Sequence, residues 1–278
     1  MNQQAIMKPG QFLSMNKDKI FRLKARDYDE EQFLMTAMAL FSENDKLREC
    51  LNWPQGQMSV YNAMKQAAST GLSLNPMEGK AALIPYKRKC TYQIMKNGYI
   101  ELAMDTGRVR FITADAVREH DEFSVSKTSD GDTFIFTPQK KSRGDIIGFF
   151  AFVKLDDGTG FVSYMTNEEM DSHRERYSIG YKYSEKKDEH VWGKSYEGMG
   201  IKTVLKKLLR NMNISPAITA AVTADDKSEM GEITEEMEAL QEEQGGESPN
   251  EMRARVMNNE QETDVPIVGD GGGPVPFE

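Results

Sequence analysis

The sequence predicts an α+β protein: a central antiparallel sheet with flanking helices, a helical N-terminal region before it and a disordered acidic C-terminal tail after it. Three observations carry this reading. Apolar residues recur at helical spacing between Asp29 and Gly71 and again between Ile201 and Met212. Between residues 109 and 165 the pattern changes to short apolar runs separated by turn signals. Charge is also unevenly divided. Over 278 residues, 35 Lys and Arg stand against 44 Asp and Glu, a net of −9, yet residues 225–278 hold 16 acidic and 3 basic residues. The tail therefore carries −13 and residues 1–224 carry +4, which sets a boundary at Ala224. Three regions follow: 1–54, an N-terminal arm and helices assigned to subunit contacts; 55–224, a core; and 225–278, the tail.

Composition removes several classes. With 38% hydrophobic residues and no apolar run near the roughly 18 residues of a membrane span, no transmembrane segment is expected. The opening MNQQAIMKPG lacks the basic start, apolar centre and cleavage site of a secretory signal, so a cytoplasmic location is expected. Two cysteines, Cys50 and Cys90, make neither a disulfide framework nor a Cys-based zinc site.

Residues 1–27 begin polar and turn basic (Lys17, Lys19, Arg22, Lys24, Arg26) and read as a flexible arm touching phosphates or as a frayed terminus. Phe33, Leu34, Ala37, Met38 and Phe41 then recur as one helical face within 29–50, interrupted near Ser42 and Asn44. A second helix is placed from an N-cap at Ser59 through Val60, Ala63, Met64 and Ala67 to a stop at Gly71. Asn75, Pro76 and Gly79 mark a turn before two short strands, 82–86 and 91–94, joined by the basic trio Lys87, Arg88 and Lys89 at a hairpin turn. Residues 99–106 read as a helix stopped by Gly107.

Strands are expected over 111–117, 123–127, 133–137, 146–154 and 160–165, with turns at SDGD and DDGTG. Short connections make the sheet antiparallel, and IIGFFAFV, apolar on both faces, is its central covered strand. Thr166 and Glu169 form a capping box opening a helix through Arg174. The loop 177–192 interleaves Tyr177, Tyr181, Lys182, Tyr183, Lys186, Lys187 and Trp192. It reads equally as a surface on which bases stack while cations follow phosphates, and as a loop whose aromatics pack inward. In GMGIKTVLKKLLRNM, Ile201, Val204, Leu205, Leu208, Leu209 and Met212 share one helical face, and Lys202, Lys206, Lys207 and Arg210 are assigned to the opposite one. Within the tail, Ile233, Met237 and Leu240 give a short amphipathic helix over 229–243.

Enzymatic constellations do not assemble. MEGKAA resembles the end of a phosphate-binding loop, but Leu74 replaces its earlier glycine and Ala81 its hydroxyl residue, so neither ATP hydrolysis nor a cofactor is expected. His120, His173 and His190 lack metal-ligand spacing, and Asp130, Asp132, Asp156 and Asp157 read as turn formers rather than a nuclease's Mg²⁺ cluster.

In order, GLSLNP, AALIPY, a basic turn with YQIMKNGYIELAMDTGR, a sheet, YEGMGIKTVLKKLLRNM and AVTADD resemble the RecT family of phage single-strand annealing proteins over residues 55–226. The resemblance implies a non-enzymatic protein that anneals complementary DNA strands without ATP. It implies assembly into rings or helical filaments, with DNA in a basic groove across subunits, and cooperation with a phage 5′ to 3′ exonuclease. The family's basic hairpin matches Tyr86–Lys89, its helix after a glycine and an aromatic matches Gly98, Tyr99 and Ile100, and its Trp before a Lys-rich helix matches Trp192, Lys202 and KKLLR. Where many relatives have glycine, tyrosine, a basic residue and glycine, this chain has Met95, Lys96, Asn97 and Gly98.

The expected DNA-binding residues are Tyr86, Lys87, Arg88, Lys89, Lys96, Tyr99, Lys182, Trp192, Lys202, Lys206, Lys207 and Arg210, with no catalytic or metal-binding residue. The expected partners are single-stranded DNA and the annealed duplex, further copies of the chain, the exonuclease and, from the ending PVPFE, a host single-strand-binding protein; no membrane partner is expected. A body charge of only +4 makes affinity a matter of cooperative assembly. The competing reading is a non-catalytic protein-interaction adaptor acting through its acidic tail.

Overall fold

The computed structural model describes residues 7–22, 24, 28–86, 88–178, 181–182, 184–212, 215, 218–223 and 225–226. The tail after Asp226 lies outside the described residues, and with it the helix expected over 229–243.

The segment read as an arm contains a helix, α1 (Pro9–Phe21), with Pro9 in its first turn. Phe12, Leu13, Ile20 and Phe21, spaced by about two turns, put four apolar side chains on one face, and all are buried. Lys17 and Lys24 both reach Glu30, at 3.9 and 3.0 Å. The interruption expected near Asn44 separates α2 (Glu30–Glu43) from α3 (Asp45–Cys50), and the Asn44 side chain caps the second by accepting from the Lys46 and Leu47 amides. Helix α4 (Pro54–Thr70) begins before the expected Ser59, because Pro54 is preorganised for a first turn and loses no needed donor there. It ends as expected at Gly71, whose φ of 65° is the left-handed conformation of a C-terminal cap.

Strands β1 (Ala81–Tyr86) and β2 (Lys89–Ile94) form an antiparallel hairpin packed against α4 and α3. Helix α5 (Lys96–Met104) follows directly. The expected strands are β3 (Val109–Arg118), β4 (Glu122–Thr128), β5 (Gly131–Thr137), β6 (Ile146–Leu155) and β7 (Gly160–Thr166). Consecutive pairing fails on both sides of the β4–β5 hairpin: β3 pairs with β6 rather than β4, giving the order β3-β6-β7, while β4 and β5 pair only with each other. Strand β6 explains the departure. Its Phe149, Ala151 and Val153 enter the main core, whereas Phe150 and Phe152 point to the other face and need a second cover. The β4–β5 hairpin supplies it with Phe123, Val125, Phe134 and Phe136; ring centroids of Phe134 and Phe152 lie 4.4 Å apart, and those of Phe136 and Phe150 4.8 Å. Asp121 fixes the crossover by accepting from the Arg118 and Gln139 amides and from two nitrogens of Arg143, at 2.7–2.9 Å.

The predicted capping box opens α6 (Asn167–Tyr177), with Glu169 N–H donating to Thr166 Oγ1 at 3.1 Å and Thr166 N–H to Glu169 Oε2 at 2.8 Å. A short helix α7 (Val191–Lys194) leads into α8 (Tyr196–Met212), which packs on β6, β7, β3 and α5. Residues 218–223 and 225–226 are helical. One buried cluster runs from Phe12 to Val222, so the N-terminal helices share the core of the sheet.

Gly56 locks the β1–β2 hairpin to α4: a Cβ there would lie 2.0 Å from the Cys50 carbonyl oxygen and 2.6 Å from that of Arg88. Both neighbours are backbone and cannot rotate away. Gly56→Ala is therefore expected to destabilise the fold by about 1–3 kcal/mol despite alanine's higher helix propensity. Urea unfolding measures this, and an unchanged midpoint would refute the close approach.

Candidate nucleic-acid interface

The hairpin tip is the first place where the predicted residues come together. Tyr86 pairs with Lys89 across a two-residue turn; Lys87 lies outside the described residues. Arg88 is exposed and sits at φ 67°, a left-handed conformation that an arginine adopts at a cost of roughly 1–2 kcal/mol. Lys89 is half-buried. Ser59, expected as a helix cap, instead lies inside α4 and ties the hairpin down: it accepts from the Cys90 amide at 2.8 Å and donates to the Gly56 carbonyl at 2.6 Å. The Arg88 guanidinium lies 4.2 Å from the centre of the Trp53 ring. Trp53 occupies the N-cap position of α4 and is 44% exposed. Sequence reasoning passed over it. Pro54 was the available signal, since a proline in the first turn leaves the preceding residue outside the helix.

Around α5, Lys96 is half-buried in the first turn. Tyr99 is fully buried, a core residue in this fold. Asn97 donates to the Glu78 carbonyl at 2.8 Å, and Lys80, the lysine of the loop-like MEGKAA, is paired with Glu78 and Glu101, each at 2.8 Å.

The basic face of α8 divides. Lys207 and Arg210 are exposed, whereas Lys202 and Lys206 are only 3% and 6% exposed. At 100° per residue Lys202 stands only about 20° beyond Leu209, so it flanks the apolar face rather than opposing it. The chain beyond α8 returns to cover that flank and brings its own anions. Asp225 Oδ2 lies 2.8 Å from Lys206 Nζ and 3.1 Å from Lys202 Nζ, and its Oδ1 accepts from Lys202 at 3.3 Å; Asp226 lies 2.9 Å from Lys206 and also pairs with Arg210. Burial alone would raise the Asp225 carboxyl, but the two ammonium groups outweigh it and hold it below the ordinary carboxylate range. Asp225 and Asp226 thus belong to the folded body. Its formal charge becomes +2 over residues 1–226, leaving −11 on 227–278.

In the loop 177–192, the inward alternative holds for two aromatics. Tyr181 and Trp192 are buried, with the Arg174 guanidinium 4.4 Å from the Tyr181 ring and 5.0 Å from that of Tyr196. Lys182 is exposed, and Tyr183 lies outside the described residues. His173 stacks on Tyr177 at 4.5 Å; burial and the nearby Lys206, Lys207 and Arg210 push its pKa down to about 4, so it adds no charge at neutral pH.

The predicted turn aspartates serve the backbone: Asp132 accepts from the Val162 amide at 2.9 Å and Asp157 from the Thr159 amide at 2.8 Å. Among the described residues no three His, Cys, Asp or Glu side chains gather as a metal site, and no helix is long and apolar enough to cross a membrane.

The RecT family model matches residues 31–239, three-quarters of the sequence. The chain belongs to the RecT family. The match extends the resemblance upstream from residue 55 into α2 and past Asp226. Among curated relatives, the uncharacterized protein YqaK of Bacillus subtilis is 26% identical over 210 residues, covering 75% of this chain and 69% of YqaK. Protein RecT of Escherichia coli is 28% identical over 178 residues, covering 61% of this chain and 63% of that protein.

Asp225→Asn leaves two buried ammonium groups short of a counter-charge and is expected to cost about 3 kcal/mol in urea unfolding. The sign of its pH dependence is fixed. Because the folded pKa lies below the unfolded value of about 3.9, the carboxylate's contribution is complete above that value and is lost as pH falls through the folded pKa. The gap between wild type and Asp225→Asn should accordingly narrow on acidification below about pH 4. A constant gap would refute the buried pairing.

Proposed function

We propose that this chain binds single-stranded DNA and anneals complementary strands without ATP, as an oligomer in phage-type homologous recombination. Membership in the RecT family over residues 31–239 carries the reading. The exposed cation at the β1–β2 tip and those on the outer side of α8 support it. Two complementary strands repel through their phosphates and are impeded by self-structure. Cations along a groove neutralise one strand and hold it extended, and base pairing with the second supplies the free energy, so no nucleotide need be hydrolysed.

The burial of Lys202 and Lys206 moves the direct contacts outward. In this reading Lys87, Arg88 and Lys89 take phosphates at the hairpin, and Lys207 and Arg210 take them beside α8, while Lys202 and Lys206 hold the closing segment in place. A body charge of +2 gives one subunit little electrostatic affinity, so binding is expected to be cooperative, through rings or filaments in which 1–54 makes subunit contacts. Exposed Met15 and Met35 on α1 and α2 are available for that. A 5′ to 3′ exonuclease would supply the single strand, and a host single-strand-binding protein would compete for it.

Fluorescence-monitored annealing of complementary oligonucleotides without ATP tests the function, and ATP-dependent or absent annealing would refute it. Lys87→Ala/Arg88→Ala/Lys89→Ala should flatten the slope of log affinity against log salt by about 2, since each single-strand phosphate contact contributes about 0.7. An unchanged slope would remove the hairpin from the interface.

The tail leaves the body beside Lys206 and Arg210, so its −11 is tethered where phosphate would bind. Truncation after Asp226, which spares the buried pairs, should tighten DNA binding at low salt and reduce its selectivity. Equal low-salt affinities of the truncated and full chains would refute competition by the tail and favour its use as a protein-binding segment.

A further inference from the structure

We propose that Trp53 is a base-stacking surface, held beside the tip of the β1–β2 hairpin so that a nucleobase of the bound strand lies against its indole while the adjoining cations take the flanking phosphates. The proposal rests on the DNA-binding reading above and names a contact residue within it.

Exposure is the first argument. Tryptophan is largely buried on average, and the chain's other tryptophan, Trp192, conforms at 7%. Trp53 does not, although the adjoining core at Cys50 and Leu51 is closed. The strain at its partner is the second. A two-residue hairpin turn requiring positive φ is usually built with Gly, Asn or Asp. Here Arg88 occupies the position at φ 67° and lays its guanidinium over the indole. Persistent strain of this kind points to a use for the side chain.

A purely structural role, an indole clamping the hairpin, accounts for less. The hairpin is already fixed by the Ser59 to Cys90 hydrogen bond, by the backbone contact at Gly56 and by Tyr92, whose hydroxyl lies 2.6 Å from that of Thr70. A clamp would also be covered by what it clamps. Single-strand-binding surfaces combine an exposed aromatic with cations tracking the backbone, and an arginine above the ring strengthens both. The aromatics expected in this role, Tyr99 and Trp192, are in the core, so the hairpin tip supplies what they cannot.

The full-length chain carries its own probe, because Trp53 is the exposed one of two tryptophans. Titration with a short oligo(dT) should quench indole emission in wild type. In Trp53→Phe the emission change should vanish while anisotropy of a labelled oligonucleotide still reports binding. Trp53→Ala should weaken binding at least about five-fold without altering the salt slope, because stacking releases no counterions, and Trp53→Tyr should restore most of the loss. Arg88→Ala, by contrast, should flatten the slope by about 0.7. Wild-type binding with unchanged emission would overturn the proposal, as would a Trp53→Ala slope as flat as that of Arg88→Ala, the signature of a clamp. A wild-type chain that bound no oligonucleotide would overturn the DNA-binding reading itself, and this contact with it.

Discussion

Everything in this fold answers to β6. Its run IIGFFAFV is apolar on both faces, and a strand of that kind is stable only between two layers. On one face Phe149, Ala151 and Val153 receive α8, approached so closely that a Cβ on Gly200 would lie 2.5 Å from the Phe149 ring. On the other, Phe150 and Phe152 receive the aromatic side of the β4–β5 hairpin. The two covers cannot come from the same neighbour, which is why β4 leaves the sheet after β3 and β6 takes its place.

The position of α8 then dictates what becomes of its lysines. Pressing Ile201, Val204, Leu205, Leu208 and Leu209 against the sheet turns Lys202 and Lys206 to the margin of the buried face, where Asp225 and Asp226 meet them. Two ammonium groups removed from water demand a counter-charge, and Asp225 and Asp226 provide it. What looks in the sequence like the root of an acidic tail is the last part of the core. The helix therefore has less free positive charge than its composition suggests, and the hairpin tip matters more.

Much of this was legible in advance, and the failures share a cause. The capping box at Thr166 and Glu169, the stop at Gly71, the break at Asn44 and the double-faced β6 depend on residues close in sequence, where periodicity and turn chemistry act directly. The twelve candidate site residues fared differently. Arg88, Lys89, Lys182, Lys207 and Arg210 have surface-accessible side chains, but Tyr99 and Trp192 are core aromatics and Lys202 and Lys206 are interior cations. Aromatic and basic residues bind nucleic acid only from the surface, and accessibility is settled by tertiary packing: the sheet under α8, the return of 218–223 and 225–226, and His173 and Arg174 of α6 against Trp192 and Tyr181. Trp53 is the converse case, passed over because its exposure depends on a hairpin more than thirty residues downstream.

The hairpin and α8 are also built on different supports, and that bears on how an annealing protein could handle a strand. The hairpin is tied to α4 through Gly56 and Ser59, and α8 is tied to the three-stranded sheet through Phe149 and through the 2.7 Å pair of Arg118 with Glu197. Helix α5 touches both β3 and α8, and Lys80 and Asn97 bind its first turns to the base of the hairpin. Cations anchored to one continuous core keep a set spacing, so a strand held at both would be held extended rather than merely attracted. Extension is what exposes base edges to a second strand. In the proposed oligomer, fixed spacing between a few well-placed cations would thus do what a net charge of +2 cannot.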